Sequence, residues 1–268
     1  MPTERAMSRN LSSAATSWRL GVATLLCLGA AAWPDAALAY RPFDGTDAAV
    51  ADAGELEIEM QPAGIRRDDS QRTLVAPATV LNFGLKEQWE LVLEGQLETP
   101  LSPSGPSTLT ASGAFLKHVL REGVLQDNSG PSIATEFGLL LPDLDGSNRL
   151  GASLAGIVSQ RWDWGTVHLN AETALTRDHN ADFFLGAIVE GPAKWKVRPV
   201  AEVFYEDELG AARTVSGLIG AIWQVDDKLS FDVGFRAALT GGHPVSEIRA
   251  GFTVGFPLNL FNGLNRKP

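Results

Sequence analysis

Residues 229–236 read LSFDVGFR, with large apolar side chains at the odd positions and Ser, Asp, Gly and Arg at the even ones. The same period of two residues appears at 55–60 (ELEIEM) and 89–98 (WELVLEGQLE). Side chains along an extended strand point alternately to two faces, so this pattern predicts strands with one apolar and one polar face. No comparable stripe with a period of 3.6 residues follows residue 40, and we therefore expect an all-β fold.

Segments with this period number about twelve. They predict strands at 53–62, 73–85, 89–98, 108–121, 131–141, 150–162, 166–176, 182–191, 195–206, 213–225, 228–239 and 246–256. The connections alternate in length. Tight ones are expected at 86–88, 163–165, 192–194 and 226–227, and longer polar ones at 63–72, 99–107, 142–149 and 207–212. This alternation is typical of an antiparallel up-and-down transmembrane β-barrel with short periplasmic turns and longer outer loops. The connection at 122–130 departs from it, because it is long where a short turn is expected.

The first 39 residues have the pattern of a secretory signal peptide. Arg5, Arg9 and Arg19 precede an apolar run at 20–33. Ala37-Leu38-Ala39 then provides small residues for cleavage before Tyr40. The apolar run is shorter than the about 20 residues that span a bilayer as a helix. The remaining chain is then predicted to consist of an N-terminal lead-in at 40–52, a β-barrel at 53–257 and a C-terminal tail at 258–268.

Composition narrows the functional classes. The net charge is −10, and it becomes −11 without the signal peptide, which holds three arginines and two acids. An acidic chain lacks the basic footprint of a nucleic-acid-binding protein. The sole cysteine, Cys27, lies in the signal peptide, so the exported chain would have no disulfide. Mean hydropathy is −0.00. An exported chain of this kind fits a barrel in the bacterial outer membrane, where each strand carries only a weak apolar signal.

Alternation alone does not say which face looks outward, because a soluble ligand-binding barrel has the same period. Every tryptophan after residue 40 is predicted at or beside a short turn, which would place them together at one membrane interface. They are Trp89, Trp162, Trp164, Trp195 and Trp223. Residues 249–256 (RAGFTVGF) are similar to the C-terminal signal that the outer-membrane assembly machinery recognises, although the chain continues past Pro257.

If the apolar face meets lipid, the polar face lines the lumen. The predicted lumen residues are Glu55, Glu57, Glu59, Glu90, Glu94, Glu98, Glu136, Glu172, Arg161, Lys196, Arg198, Glu202, Asp232, Arg236 and Arg249, to which Lys117 is a candidate addition. Such an acid-rich lumen would favour cations, since carboxylates select by sign. One alternative is a closed structural barrel whose charged groups pair across the lumen. Another is a soluble periplasmic barrel that binds a ligand.

Closure of the barrel gives a further expectation. The first strand must pair with the last if no edge is to remain. The inward face of the first strand would then be purely acidic, and we expect Arg249, with Arg236 behind it, to neutralise the glutamates around Glu57.

The sequence offers weak grounds for catalysis or for a metal. His118 and His168 lie on predicted strands and could meet Ser112 or Ser159, but no G-x-S-x-G turn accompanies them. No His or Cys pair has ligand spacing. The loop at 143–146 (DLDG) is shaped better for an ion than the acidic first strand, although most such loops are turns. We predict no catalytic residues, no metal and no cofactor, with a barrel-type acyl hydrolase as the alternative.

A family resemblance adds to this interpretation. The lead-in at 43–54 (FDGTDAAVADAG), followed by ELEIEM, resembles the outer-membrane protein family named for a meta-pathway of phenol degradation, as does VLNFGL at 80–85 running into Trp89-Glu90-Leu91. The resemblance implies a barrel of transport function for small aromatic or other organic compounds, without catalytic residues. We therefore expect a passive channel, with the outer-membrane lipid bilayer and a small organic or cationic solute as its partners.

Overall fold

The computed structural model describes residues 41–143 and 149–258, so the predicted signal peptide and nearly all of the predicted tail lie outside the described residues. Twelve antiparallel strands follow one another along the chain. They are β1 (Glu55–Asp68), β2 (Gln71–Lys86), β3 (Trp89–Ser102), β4 (Thr108–Arg121), β5 (Ser132–Leu140), β6 (Gly151–Trp162), β7 (Gly165–Leu175), β8 (Ala181–Glu190), β9 (Val197–Glu208), β10 (Arg213–Asp226), β11 (Leu229–Thr240) and β12 (His243–Pro257).

These strands form a closed up-and-down barrel, as predicted. Each strand pairs with its neighbours in sequence, and β1 pairs antiparallel with β12 to complete the ring. The register of this seam sets Glu55 opposite Pro257 and Asp68 opposite Val245. Because the ring is closed, the ladder hydrogen bonds leave no sheet edge to be covered.

The two faces of the wall have opposite polarity. Outward side chains such as Ile219 and Val203 are 67% and 62% exposed, whereas the inward Glu202 is only 2% exposed. A water-soluble barrel has the reverse arrangement, with apolar side chains inside. Within the two described ranges, no helix is long and apolar enough to cross a membrane.

The first hairpin corrects a predicted loop. Residues 63–72 were expected to form a long polar connection, but strand pairing continues to Asp68, and β2 begins at Gln71. Pro62 falls where the β1–β12 register shifts, between Met60 and Ala63, so an irregularity absorbs this poor strand former without ending the strand. The predicted uniform contrast between long and short connections is therefore wrong at this hairpin.

The long connection after β4 has a structure of its own. Val124–Gln126 form a single 3₁₀ turn, and the Leu125 amide donates to Ser132 Oγ at 3.0 Å. The Gln126 side chain donates to the carbonyl of Ala48, also at 3.0 Å. The extra length of this connection thus lets Gln126 bind Ala48, which precedes the first strand.

Candidate functional site

The lead-in lies inside the barrel. Its residues 41–54 have no regular structure, and their hydrogen bonds go to inward side chains on many different strands. At one end Arg41 donates to Asp232 of β11 (3.3 Å) and to Gln61 of β1 (3.0 Å). Further along, the Ala51 amide donates to the Glu90 carboxylate of β3. No sequence pattern gave this segment a position, so its place in the lumen was not predicted.

Cationic side chains on one wall hold Asp44 of the lead-in. Arg249 Nη2 lies 2.9 Å from its carboxylate, Arg236 Nε lies 3.5 Å away, and Arg249 also donates to the Pro42 carbonyl at 3.0 Å. Burial of the Asp44 carboxyl would raise its pKa, but the charges of Arg249 and Arg236 outweigh burial and keep the pKa below its ordinary value. Asp44 is therefore bound as a carboxylate.

Polar side chains of the wall also bind the lead-in backbone. Glu202 accepts hydrogen bonds from the amides of Asp44 and Gly45, the latter at 2.7 Å. The Asn170 amide group exchanges two hydrogen bonds with the backbone of Thr46, at 3.1 and 2.9 Å. A side chain at Gly45 would crowd both wall groups, because a Cβ there would lie 3.1–3.2 Å from Asn170 and Glu202. Glycine therefore allows the chain to lie directly on the wall.

Contacts on the β2 and β4 side complete the docking. Lys117 is 5% exposed, and its Nζ lies 3.1 Å from Thr46 Oγ1 and 3.5 Å from Asp47 Oδ1. Gly84 faces the end of the lead-in so closely that a Cβ there would lie 1.8 Å from the Asp52 carbonyl oxygen. The lead-in thus rests on the wall through both hydrogen bonds and direct backbone packing.

One suspected catalytic pair does come together. The β6–β7 register sets Ser159 opposite His168, with Ser159 Oγ 2.7 Å from Nδ1, and His168 Nε2 lies 3.2 Å from Glu190. Ser159 Oγ also accepts the Ala48 amide at 2.9 Å, and Ser159 is fully buried beneath the lead-in. This arrangement binds the hydroxyl to the lead-in backbone, which covers it in this structure.

His118 and His243 lie outside the lumen. His118 stacks on Trp89 with ring centroids 4.1 Å apart, and its Nδ1 lies 3.0 Å from the Gln88 carbonyl, so it does not meet Ser112. His243 Nδ1 lies 3.0 Å from Asp69, at the opposite end of the barrel from Trp89. Among the described residues, no three His, Cys, Asp or Glu side chains converge as a metal site.

Strand parity places most of the predicted lumen residues on the inward face. These are Glu55, Glu57, Glu59, Glu90, Glu94, Glu98, Glu136, Glu172, Arg198, Glu202, Asp232, Arg236 and Arg249. Arg161 shares the inward parity of Ile157 and Ser159 but is exposed near the end of β6. Lys196 instead lies exposed in the turn before β9. Both were predicted in the lumen because the sequence pattern did not show where the wall ends.

The expected partner of Arg249 was wrong. In the seam Arg249 lies opposite Gly64, whereas Glu57 lies opposite Gly255, so several residues separate the arginine from the acidic row. Arg249 instead pairs with Asp44 of the lead-in and with Glu247 on its own strand. The carboxylate that this arginine binds comes from the lead-in, which the sequence pattern did not place in the lumen.

The five tryptophans lie toward one end of the barrel. Trp162 and Trp164 stack with centroids 5.5 Å apart, and Trp223 packs 5.9 Å from Phe231. Four of the five are about half exposed, and Trp89 is partly covered by His118. This end also carries the 87–88, 163–164 and 227–228 turns.

The lumen contains two cavities, one of which is lined by the lead-in. A chamber of about 260 Å³ lies between the lead-in and the wall. A wider vestibule of about 430 Å³ lies nearer the end of the barrel opposite the tryptophans. Leu140 and Glu172 line both cavities, so the two are neighbours along the lumen. The lumen is therefore hollow on one side of the lead-in.

The sequence matches no protein-family model and no curated protein. Solved structures do match the fold. A crystal structure of an outer-membrane channel from Pseudomonas putida F1 aligns with a TM-score of 0.55 at 10% identity, over 80% of this chain and 100% of that one. The KdgM porin aligns with a TM-score of 0.47 at 11% identity, over 75% and 99%. At these identities the likeness concerns the fold alone.

Proposed function

We propose that the protein is an outer-membrane channel for small solutes whose lumen is closed by its own lead-in segment. The observation that carries this proposal is the position of residues 41–54, which occupy a polar lumen inside a wall whose outer surface is apolar. A segment held by hydrogen bonds and ion pairs can leave a hydrated lumen more readily than a strand can leave the sheet. The lead-in is therefore suited to act as a removable plug.

The outer wall supports the membrane location. Exposed apolar side chains cover it, and in water such a surface would favour association with other molecules. The half-exposed tryptophans would lie at one membrane interface, where an indole buries its ring and keeps its N–H hydrated. The signal peptide, the C-terminal assembly signal and the partnership with the assembly machinery belong to the same proposal.

The nature of the solute follows from the lumen and from the family resemblance. Resemblance to the phenol-degradation family suggests small aromatic or other organic compounds, and the structural neighbour from Pseudomonas putida is described as an outer-membrane channel. Carboxylates outnumber cations among the inward residues described above. We therefore assign the passage to small organic solutes, with a preference set by its acidic wall.

We predict cation selectivity for the open state. The carboxylates attract cations into the lumen, and the preference should be stronger at low salt, where the Debye length is longer. Reversal potentials of the full-length protein in planar bilayers, measured under a KCl gradient at low and high concentration, test this. Anion preference would contradict the acidic lumen, and absence of any current under all voltages would favour a closed structural barrel.

A further inference from the structure

Three carboxyl groups that line the chamber between the lead-in and the wall have no salt-bridge partner among the described residues. Glu94 of β3, Glu136 of β5 and Glu172 of β7 all line it. In the described part of the chain, none of these three carboxylates forms a salt bridge. Lys117 is paired with Glu136 in the β4–β5 ladder, but its Nζ is directed to Thr46 and Asp47. These three carboxyl groups are thus available to pair with a cationic ligand.

The same chamber also has aromatic walls. Phe43 of the lead-in, Phe115 of β4 and Phe184 of β8 line it together with the carboxylates. A ring face attracts a cation, and the apolar ring body packs against apolar parts of a ligand. Carboxylates and phenyl rings around one cavity favour a molecule with both a cationic group and an apolar body. At about 260 Å³, the chamber is slightly below the range of drug-sized pockets, so the molecule must be small.

The vestibule provides a route of matching charge. Asp182 of β8 lies directly opposite Glu208 of β9, and Glu206 lies on the same strand. Asp182 is 9% exposed, and its Oδ1 accepts no hydrogen bond from any described residue. Like charges directly opposite each other in a sheet destabilise it unless a cation is near. The vestibule therefore has an independent reason to attract cations.

Arg177, which lines the vestibule, forms hydrogen bonds and an ion pair with groups other than Asp182 and Glu208. Arg177 donates to the carbonyl oxygens of Leu141 and Ser112, both at 2.6 Å, and its Nε lies 3.5 Å from Asp143. Glu208 is oriented by Thr176 and Asn180, which donate to its Oε1 at 3.0 and 3.1 Å. No three His, Cys, Asp or Glu side chains of the described residues lie close enough together to ligate a metal ion. A bare ion needs several oxygen ligands at short distance, so it fits this region less well than an ammonium group does.

We propose that small organic amines in their ammonium form bind in the chamber after entering through the vestibule. The ammonium group lies among Glu94, Glu136 and Glu172, and the apolar body lies against Phe115 and Phe184. This inference rests on the proposed channel function only for the route of entry, since the chamber is present with the lead-in in place. It names amines as the solute class of the channel.

The test uses the full-length protein in detergent and three probes with the same ring. 2-Phenylethylamine is an ammonium ion at pH 7, as the lysine side chain is. 2-Phenylethanol is its neutral analogue, and 3-phenylpropanoate is its anionic one. Isothermal titration calorimetry should show binding of the amine at least about tenfold tighter than that of the alcohol, a preference worth about 1.4 kcal/mol. The carboxylate should not bind, and added salt should weaken the amine only. Equal binding of amine and alcohol would overturn the inference, and this comparison needs no variant.

Matched variants locate the site. Glu136→Gln with Glu172→Gln keeps the side-chain shape and removes two charges, and it should weaken the amine at least about tenfold. Glu87→Gln, in the exposed turn after β2, should leave affinity unchanged. Unchanged binding in the double variant would overturn the site. Single-channel recording separates the two proposals. Ion conduction without amine binding refutes only the amine site, whereas amine binding without any conduction refutes only the channel function.

Discussion

Replacement of Ile219 by arginine is expected to destabilise the folded barrel in a lipid bilayer by about 2–4 kcal/mol. Ile219 lies at the middle of β10 between Phe235 and Ala201, and it is 67% exposed on the outer face. If that face meets hydrocarbon, a guanidinium there must be desolvated or drawn toward the interface. Urea unfolding in lipid vesicles, followed by tryptophan fluorescence, measures the change in the free energy of unfolding.

Val215→Arg is the matched control. Val215 has the same outward parity on β10 and is 58% exposed, but it lies near the end of the strand. Close to the interface the cost of arginine falls to about 0–1 kcal/mol. A larger loss in the free energy of unfolding for Ile219→Arg than for Val215→Arg therefore indicates that the middle of β10 lies in the hydrocarbon of a bilayer. Two small and equal effects would contradict a membrane-spanning wall and favour a soluble barrel.

Gly84→Ala is expected to displace the lead-in and to raise the time-averaged current of the channel. The added Cβ would overlap the carbonyl oxygens of Asp52 and Ala51, which are backbone atoms that cannot rotate away. Overpacking of this kind costs about 1–3 kcal/mol, which raises the population of displaced states about 5- to 150-fold. Single-channel recording of the full-length variant in planar bilayers measures this population as open probability.

Gly156→Ala makes the same substitution in open space, because no atom lies within 4 Å of a Cβ there. Gly156 is on the outer face of β6, so the lumen is unchanged. Its open probability should equal that of the unmodified protein. If Gly84→Ala also leaves the current unchanged while the barrel still folds, contact between the lead-in and the wall does not control conduction.

The wall of this barrel could be predicted from the sequence because its signal is local. Alternation at 229–236 depends only on the two-residue period of a strand, and each such segment contributes independently to a count of twelve. The inward position of most acidic residues follows once the apolar face is directed outward. Strand ends were less accurate, since pairing with neighbours extended β1 through Arg66 and Arg67, whose composition favours a loop.

The lead-in could not be placed in this way because it has no period. Its hydrogen bonds join residues far apart in sequence, such as Ala48 with Ser159, and no local pattern reports such contacts. Two signals did point toward it. The connection at 122–130 was too long for a turn, and the arginines of the last strands needed carboxylate partners. Both are explained by the lead-in, through Gln126 and Asp44 respectively.

The most direct test of a channel closed by its lead-in is a reversible cross-link between the lead-in and the wall. A Cβ at Gly45 would lie 3.2 Å from Cγ of Asn170, the position that a thiol sulfur would take in Asn170→Cys. The sequence has no cysteine after Cys27, so G45C/N170C would introduce a single pair into the barrel. Single-channel current of the oxidised variant is recorded in a planar bilayer, and a reductant is then added. The account predicts a silent oxidised channel that opens after reduction, and equal current in the two states would contradict it.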